Sequence, residues 1–179
     1  MTQRSLTDHE NGLKTLLIRR TYSAPPDDVW DAITDPERLV RWFLPVSGDL
    51  REGGRFSLEG NASGQIVRCD RPRELALTWE FGGGSSHVTV RLLPEGEATV
   101  LELEHASVPA EIVTNAGDMW GLGAGWELGL RSLEGYLAGT APAGRAVDAM
   151  ASAPPEQLAE YGRMATEISD AWAAVIRAG

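Results

Sequence analysis

The stretch from residue 46 to residue 105 limits what this chain can fold into more than any other part of it. Six short runs rich in β-branched, aromatic and aliphatic residues (46–51, 55–60, 65–70, 74–81, 87–93 and 99–105) follow one another with only turn sequences between them. The turns read Glu-Gly-Gly, Asn-Ala-Ser-Gly, Arg-Pro, Gly-Gly-Gly-Ser-Ser and Pro-Glu-Gly-Glu, and glycine there supplies the positive φ that tight connections need. A repeat of about ten residues per strand and turn fits an antiparallel meander. Alternation then assigns faces. Leu75, Leu77, Trp79 and Phe81 share one side, as do Val88, Val90 and Leu92, and then Leu101, Leu103 and His105.

The flanks complete the pattern. Residues 1–13 are polar and aperiodic and read as a flexible leader, and 14–22 read as a strand that ends at Ser-Ala-Pro-Pro. Pro25 and Pro26 suit the first turn of a helix, Asp27 and Asp28 complement its positive end, and Val29, Trp30 and Ile33 give it an apolar side. Asp35-Pro36 stops it and opens a second short helix through Arg41, followed by the hydrophobic knuckle Trp42-Phe43-Leu44-Pro45. After an unpatterned connection at 106–118, a long helix is expected from Met119 to Leu137. Trp126, Leu130, Leu133 and Leu137 line one stripe of it. Glycines at 121, 123, 125 and 129 weaken this helix by up to about 1 kcal/mol each relative to alanine, so they serve close backbone approach or leave room for a ligand. Residues 139–144 form a linker. A last helix over 154–177 carries Leu158, Tyr161, Ala165, Ile168, Trp172 and Ile176 on one face. That stripe must bury against the sheet, a second copy or a partner, and a homodimer through it is expected if it cannot reach the core.

Charge excludes several partners. Sixteen Lys and Arg stand against 26 Asp and Glu, for a net charge of -10, and no basic run occurs. Nucleic-acid binding needs clustered cations, so no nucleic-acid partner is expected. No apolar stretch approaches the roughly 20 residues of a spanning helix, so no membrane insertion is expected, and the default location is cytoplasmic. One cysteine, Cys69, excludes an internal disulfide and reads as an inert thiol. Three histidines with no HxH, HxxxH or HExxH spacing argue against a metal. There is no nucleophile elbow and no phosphate-cradling loop after a strand, since the 121–126 string lacks the last glycine and a parallel βαβ setting. No cofactor is expected.

Ten spaced motifs carry a resemblance. They are Arg20, Ala24-Pro25, Val29-Trp30-Asp31-Ala32, Asp35-Pro36-Glu37-Arg38-Leu39, Arg41-Trp42-Phe43, Gly53-Gly54-Arg55-Phe56 and Gly64. Arg71-Pro72-Arg73-Glu74-Leu75, Thr78-Trp79-Glu80 and Gly125-Trp126 follow. Over 14–138 the chain resembles the Hsp-ninety ATPase activator homologue family of the START-like (SRPBCC, polyketide-cyclase-like) superfamily, with 139–179 outside the match. The resemblance implies an α+β helix-grip fold: a curved antiparallel sheet of about seven strands wrapped around a long C-terminal helix, here with an extra C-terminal helix. It also implies a cavity between sheet and helix, and it does not select a reaction.

Few residues are suited to chemistry. His9 lies in the leader and His87 alternates onto the solvated face. His105 ends the last strand in phase with Leu101 and Leu103, which makes it the one weak acid/base candidate; a histidine satisfied by a backbone carbonyl is the plainer reading. Glu102 and Glu104 fall on the opposite phase, toward solvent; Asp118 and Glu127 flank the start of the long helix, with Asp118 read as its N-cap. Arg20 and Arg55 are placed on strands beside carboxylates.

Aromatic residues are the stronger signal, with six tryptophans in the chain. The expected ligand-binding set is Trp42, Phe43, Trp79, Phe81, Val90, Leu103, His105, Trp120, Trp126 and Leu130. Plain core packing is the competing reading, favoured for Trp30 and Trp42. The expected function is binding of a small apolar or aromatic molecule between sheet and long helix, without catalysis. The alternatives are a polyketide cyclase/aromatase-like enzyme using a pocket acid/base, and a stress-response or chaperone-related interaction module.

Overall fold

A computed structural model of the chain describes residues 2–114 and 121–178. The strands are β1 (Thr2–Asp8), β2 (Leu13–Tyr22), β3 (Val46–Gly48), β4 (Arg55–Leu58), β5 (Ser63–Asp70), β6 (Glu74–Phe81), β7 (Gly84–Glu95) and β8 (Ala98–Pro109). They form one antiparallel sheet in the order β1-β2-β8-β7-β6-β5-β4-β3. Strands β3 to β8 are the meander expected from the turn spacing, and β2 returns to pair with the last of them.

The helices are α1 (Pro26–Thr34), α2 (Pro36–Leu39), α3 (Ala110–Thr114), α4 (Leu122–Leu137), α5 (Ala146–Ala151) and α6 (Pro155–Ala178). Proline stands at the start of both α1 and α2, where its missing N–H costs nothing. The Asp35 side chain accepts the Glu37 N–H at 2.9 Å, which caps α2 just where α1 ends.

Register turns the alternation into rows. Leu16, His105, Val88 and Leu77 lie across one row of the sheet, and Ile18, Leu103, Val90 and Leu75 across the next. All of these side chains lie on one face, against which α4 packs through Leu128, Leu130 and Leu133. The Tyr22 hydroxyl donates to the Leu130 carbonyl at 2.9 Å, and the Thr99 hydroxyl to the Ala24 carbonyl at 2.7 Å, so these two deep hydroxyls are satisfied.

Several expectations need correction. Residues 2–8, read as part of a flexible leader, form an eighth strand paired with β2 from Thr2–Arg20 to Asp8–Lys14. Its inward positions are Thr2, Arg4 and Leu6, so apolar alternation was too sparse to reveal it. Arg4 instead earns its place through Glu127, a fully buried carboxylate on α4. Arg4 donates to it twice, at 2.5 and 2.6 Å, and the Trp172 indole N–H of α6 at 3.1 Å.

The stripe of the last helix is spent inside the chain. Ala165, Ile168 and Trp172 are buried against α4 and β1, while Leu158 at the helix start is exposed. The dimer expectation therefore loses the exposed stripe on which it stood. Glu102, expected to face solvent, is covered by Arg19 at 2.6 Å on the outer face of the sheet. Arg20 and Arg55 pair with Glu134 and Glu80. The reading of Asp118 as an N-cap lies outside the described residues; the described helix α4 begins at Leu122.

Candidate functional site

Between the inner face of the sheet, α4, and the α1–α2 corner lies a cavity of about 140 Å³. An apolar cavity of about 150 Å³ stays dry and holds one benzene ring, so this space takes about one aromatic ring system. The meander supplies the floor through Leu75, Leu77 and Trp79 of β6, Val88 and Val90 of β7, and Leu101 and Leu103 of β8. Helix α4 closes it with Trp126, Gly129 and Leu130; the knuckle adds Trp42 and Phe43, and β4 adds Phe56 and Leu58. Leu50 and Cys69 are the exposed members of the lining, which places the mouth at that edge.

Rings shape the wall. Phe43 and Trp126 stack with centroids 6.1 Å apart and planes 11° apart, and Trp79 tilts against Trp126 at 4.9 Å. A Cβ at position 129 would sit 3.2 Å from the Phe43 ring, so the glycine lets the knuckle lie against α4. The Trp42 indole donates to the Ala32 carbonyl at 2.9 Å, which fixes that ring to α1.

No Asp, Glu, Lys, Arg or His lines the cavity among the described residues. His105 lies behind its wall at 2 % exposure. The Trp126 indole N–H donates to its Nδ1 at 3.0 Å, leaving Nε2 to carry the proton toward Ser86 Oγ at 2.7 Å. Ser86 in turn donates to the Trp79 carbonyl at 3.3 Å. Burial, and then the nearby His87, push the His105 imidazole down to about 4. Both ring nitrogens are committed, so the imidazole braces Trp126 and has no free edge for a substrate.

Among the described residues no group of three His, Cys, Asp or Glu could hold a metal ion. Cys69 is exposed at the mouth. Burial, followed by Glu52 and Asp70, raises its thiol above the ordinary value, which suppresses the nucleophilic thiolate.

The model of one protein family, described as "Activator of Hsp90 ATPase homolog 1-like protein", matches residues 23–138. The chain belongs to this family. Its architecture is the family's helix-grip arrangement, with the curved antiparallel sheet holding the long helix. A comparison with proteins of curated description finds no significant match. Among solved structures, the crystal structure of CalU16 from Micromonospora echinospora is 38% identical, covers 99% of both chains and has a TM-score of 0.74. The solution structure of CalU16 is 41% identical over 100% of this chain and 97% of that one, with a TM-score of 0.79. DynU16, a protein of the dynemicin biosynthetic locus, is 25% identical over 72% of this chain and 48% of its own, with a TM-score of 0.64. The family match ends at residue 138, yet the likeness to CalU16 continues across α5 and α6.

Seven of the ten expected site residues line the cavity: Trp42, Phe43, Trp79, Val90, Leu103, Trp126 and Leu130. Phe81 does not. It shares the phase of Trp79 but lies at the hairpin tip, 60% exposed, beyond the reach of α4. His105 is the second correction, since Trp126 stands between it and the space. Trp120 lies outside the described residues. Phe56, Leu58, Ile66 and Leu39 were missed, although the period-two pattern of Phe56 and Leu58 on β4 was a usable signal.

Proposed function

We propose that this protein binds a small hydrophobic or aromatic molecule in the cavity between the sheet and α4, in the cytoplasm and without catalysing a reaction. The observation that carries this reading is the wall itself, which among the described residues has many apolar and aromatic side chains and no carboxylate, imidazole or cation. Acid/base chemistry needs a titratable group within hydrogen-bond reach of the substrate, and His105 is turned away. Burying about 200 Å² of aromatic surface is worth about 5 kcal/mol before the costs of ordering. The likeness to DynU16, a protein of a biosynthetic locus, supports a natural product or an intermediate of its assembly as the ligand.

Native mass spectrometry of protein purified gently from its source tests this. An apolar molecule at near-stoichiometric occupancy is expected, and it should be lost from a folded Val90→Phe variant whose added ring fills the cavity. An empty wild-type protein, or equal occupancy in both, would count against the reading.

A further inference from the structure

We infer that the ligand is an uncharged aromatic molecule bearing a hydrogen-bond acceptor oxygen, and that the Trp79 indole N–H recognises that oxygen. This rests on the binding reading above and narrows it to a chemical class.

Among the described residues three tryptophans line the cavity, and two have their N–H groups committed. Trp42 donates to the Ala32 carbonyl at 2.9 Å and Trp126 to His105 Nδ1 at 3.0 Å. The Trp79 N–H has no acceptor on any described residue, although Trp79 is only 9% exposed. Buried indoles ordinarily find a partner for this hydrogen, because an unmet donor loses its solvation without return. The sealed and unpartnered side-chain atoms among the described residues are Arg20 Nε, Arg41 Nε, Arg131 Nε and Ser169 Oγ. The Trp79 nitrogen is not one of them, so it stays reachable. Trp79 is among the residues that line the cavity, and Phe56, His105 and Trp126 pack around its ring.

The other limits on the ligand follow from the same wall. A charged group would enter without a counter-charge, since no ionised side chain among the described residues lines the space, and the desolvation cost would go unmatched. The ring faces of Phe43, Trp79 and Trp126 favour a flat aromatic body over a flexible chain. A neutral ketone, quinone or similar oxygen at one edge of that body completes the match. A site with a donor waiting also rejects an analogue that lacks the acceptor.

The matched probes are 1-indanone and indane, which differ by one carbonyl oxygen. The full chain, labelled with ¹⁵N, is titrated with each, and the Trp79 indole signal is assigned by triple-resonance spectroscopy. 1-Indanone is expected to bind about tenfold tighter than indane, the worth of one hydrogen bond, and to move the Trp79 Nε1–H signal downfield. Trp79→Phe should bring the two probes to equal affinity while circular dichroism stays unchanged. If that variant does not fold, the wild-type titration decides alone. Equal binding of both probes with the Trp79 signal unmoved overturns this inference and leaves the cavity reading standing. Failure of both probes to bind overturns both.

Discussion

At the scale of single residues, His105 is a brace whose neutrality is part of the fold. Its imidazole accepts from Trp126 and donates toward Ser86, and burial holds it down to about 4. The unfolded chain protonates this ring near the ordinary 6.5, so the unfolded state takes up a proton first as the pH falls. His105 therefore contributes stability that is whole above about pH 6.5 and is lost between there and about pH 4, to the extent of about 3 kcal/mol. Urea unfolding should show this loss in the wild type on going from about pH 7 to about pH 4 and not in His105→Gln. Parallel curves for the two proteins would refute it. Cys69 gives a second residue-scale expectation: although exposed, its raised thiol should react with iodoacetamide more slowly at neutral pH than an unperturbed cysteine. Alternation alone could place His105 on the inner face. It could not reveal that a tryptophan from another element would stand in front of it.

At the scale of elements, the glycines of α4 separate into two roles. A Cβ at Gly123 would meet the Trp172 ring at 2.5 Å, whereas one at Gly125 meets nothing within 4 Å. Helix propensity treats the two alike, at about 1 kcal/mol in favour of alanine. Packing does not. Gly125→Ala should stabilise the protein by about 0.5–1 kcal/mol, and Gly123→Ala should destabilise it by about 1–3 kcal/mol by levering α6 from α4. Chemical denaturation of the two variants distinguishes these signs. The glycine run advertised either close approach or ligand room, and close approach is what the contacts show: Trp172 lies against Gly123 and the Phe43 ring against Gly129. The partners come from distant parts of the chain, so spacing within one helix could not tell them apart. Phe81 failed for a related reason. Period two assigns a face to every strand residue but says nothing of where the covering helix stops.

At the scale of the whole molecule, the turn chemistry and the run of short strands made the meander and its helix legible, and with them most of the cavity wall. Strand β1 was not legible, because what holds it is largely polar, and α6 was legible as an amphipathic helix but not in where it docks. Glu127 gathers Arg4 from β1, Trp172 from α6, and Arg131 at 3.4 Å from its own helix. A buried carboxylate of this kind gives no hydrophobic signature and no motif. Breaking a buried pair costs up to about 3–5 kcal/mol when the remaining charge is uncompensated; Arg131 stays beside Glu127, so Arg4→Met should cost less than that, yet still destabilise well beyond an ordinary edge-strand change. Amide hydrogen exchange should rise in α6 as much as in β1; a rise confined to β1 would show that the cluster does not couple them.

The same carboxylate sets an order on synthesis. Its partners come from the first strand and from near the end of the last helix, so a nascent chain on the ribosome carries Glu127 long before Trp172 has emerged. Strands β2 to β8 can close around α4 while translation continues, with N-terminal segments organising first. The lock across β1, α4 and α6 engages only after Trp172 clears the exit tunnel. Until then the face of α4 that receives α6 is open to chaperones and proteases, and chains stalled inside α6 should be degraded far faster than finished ones.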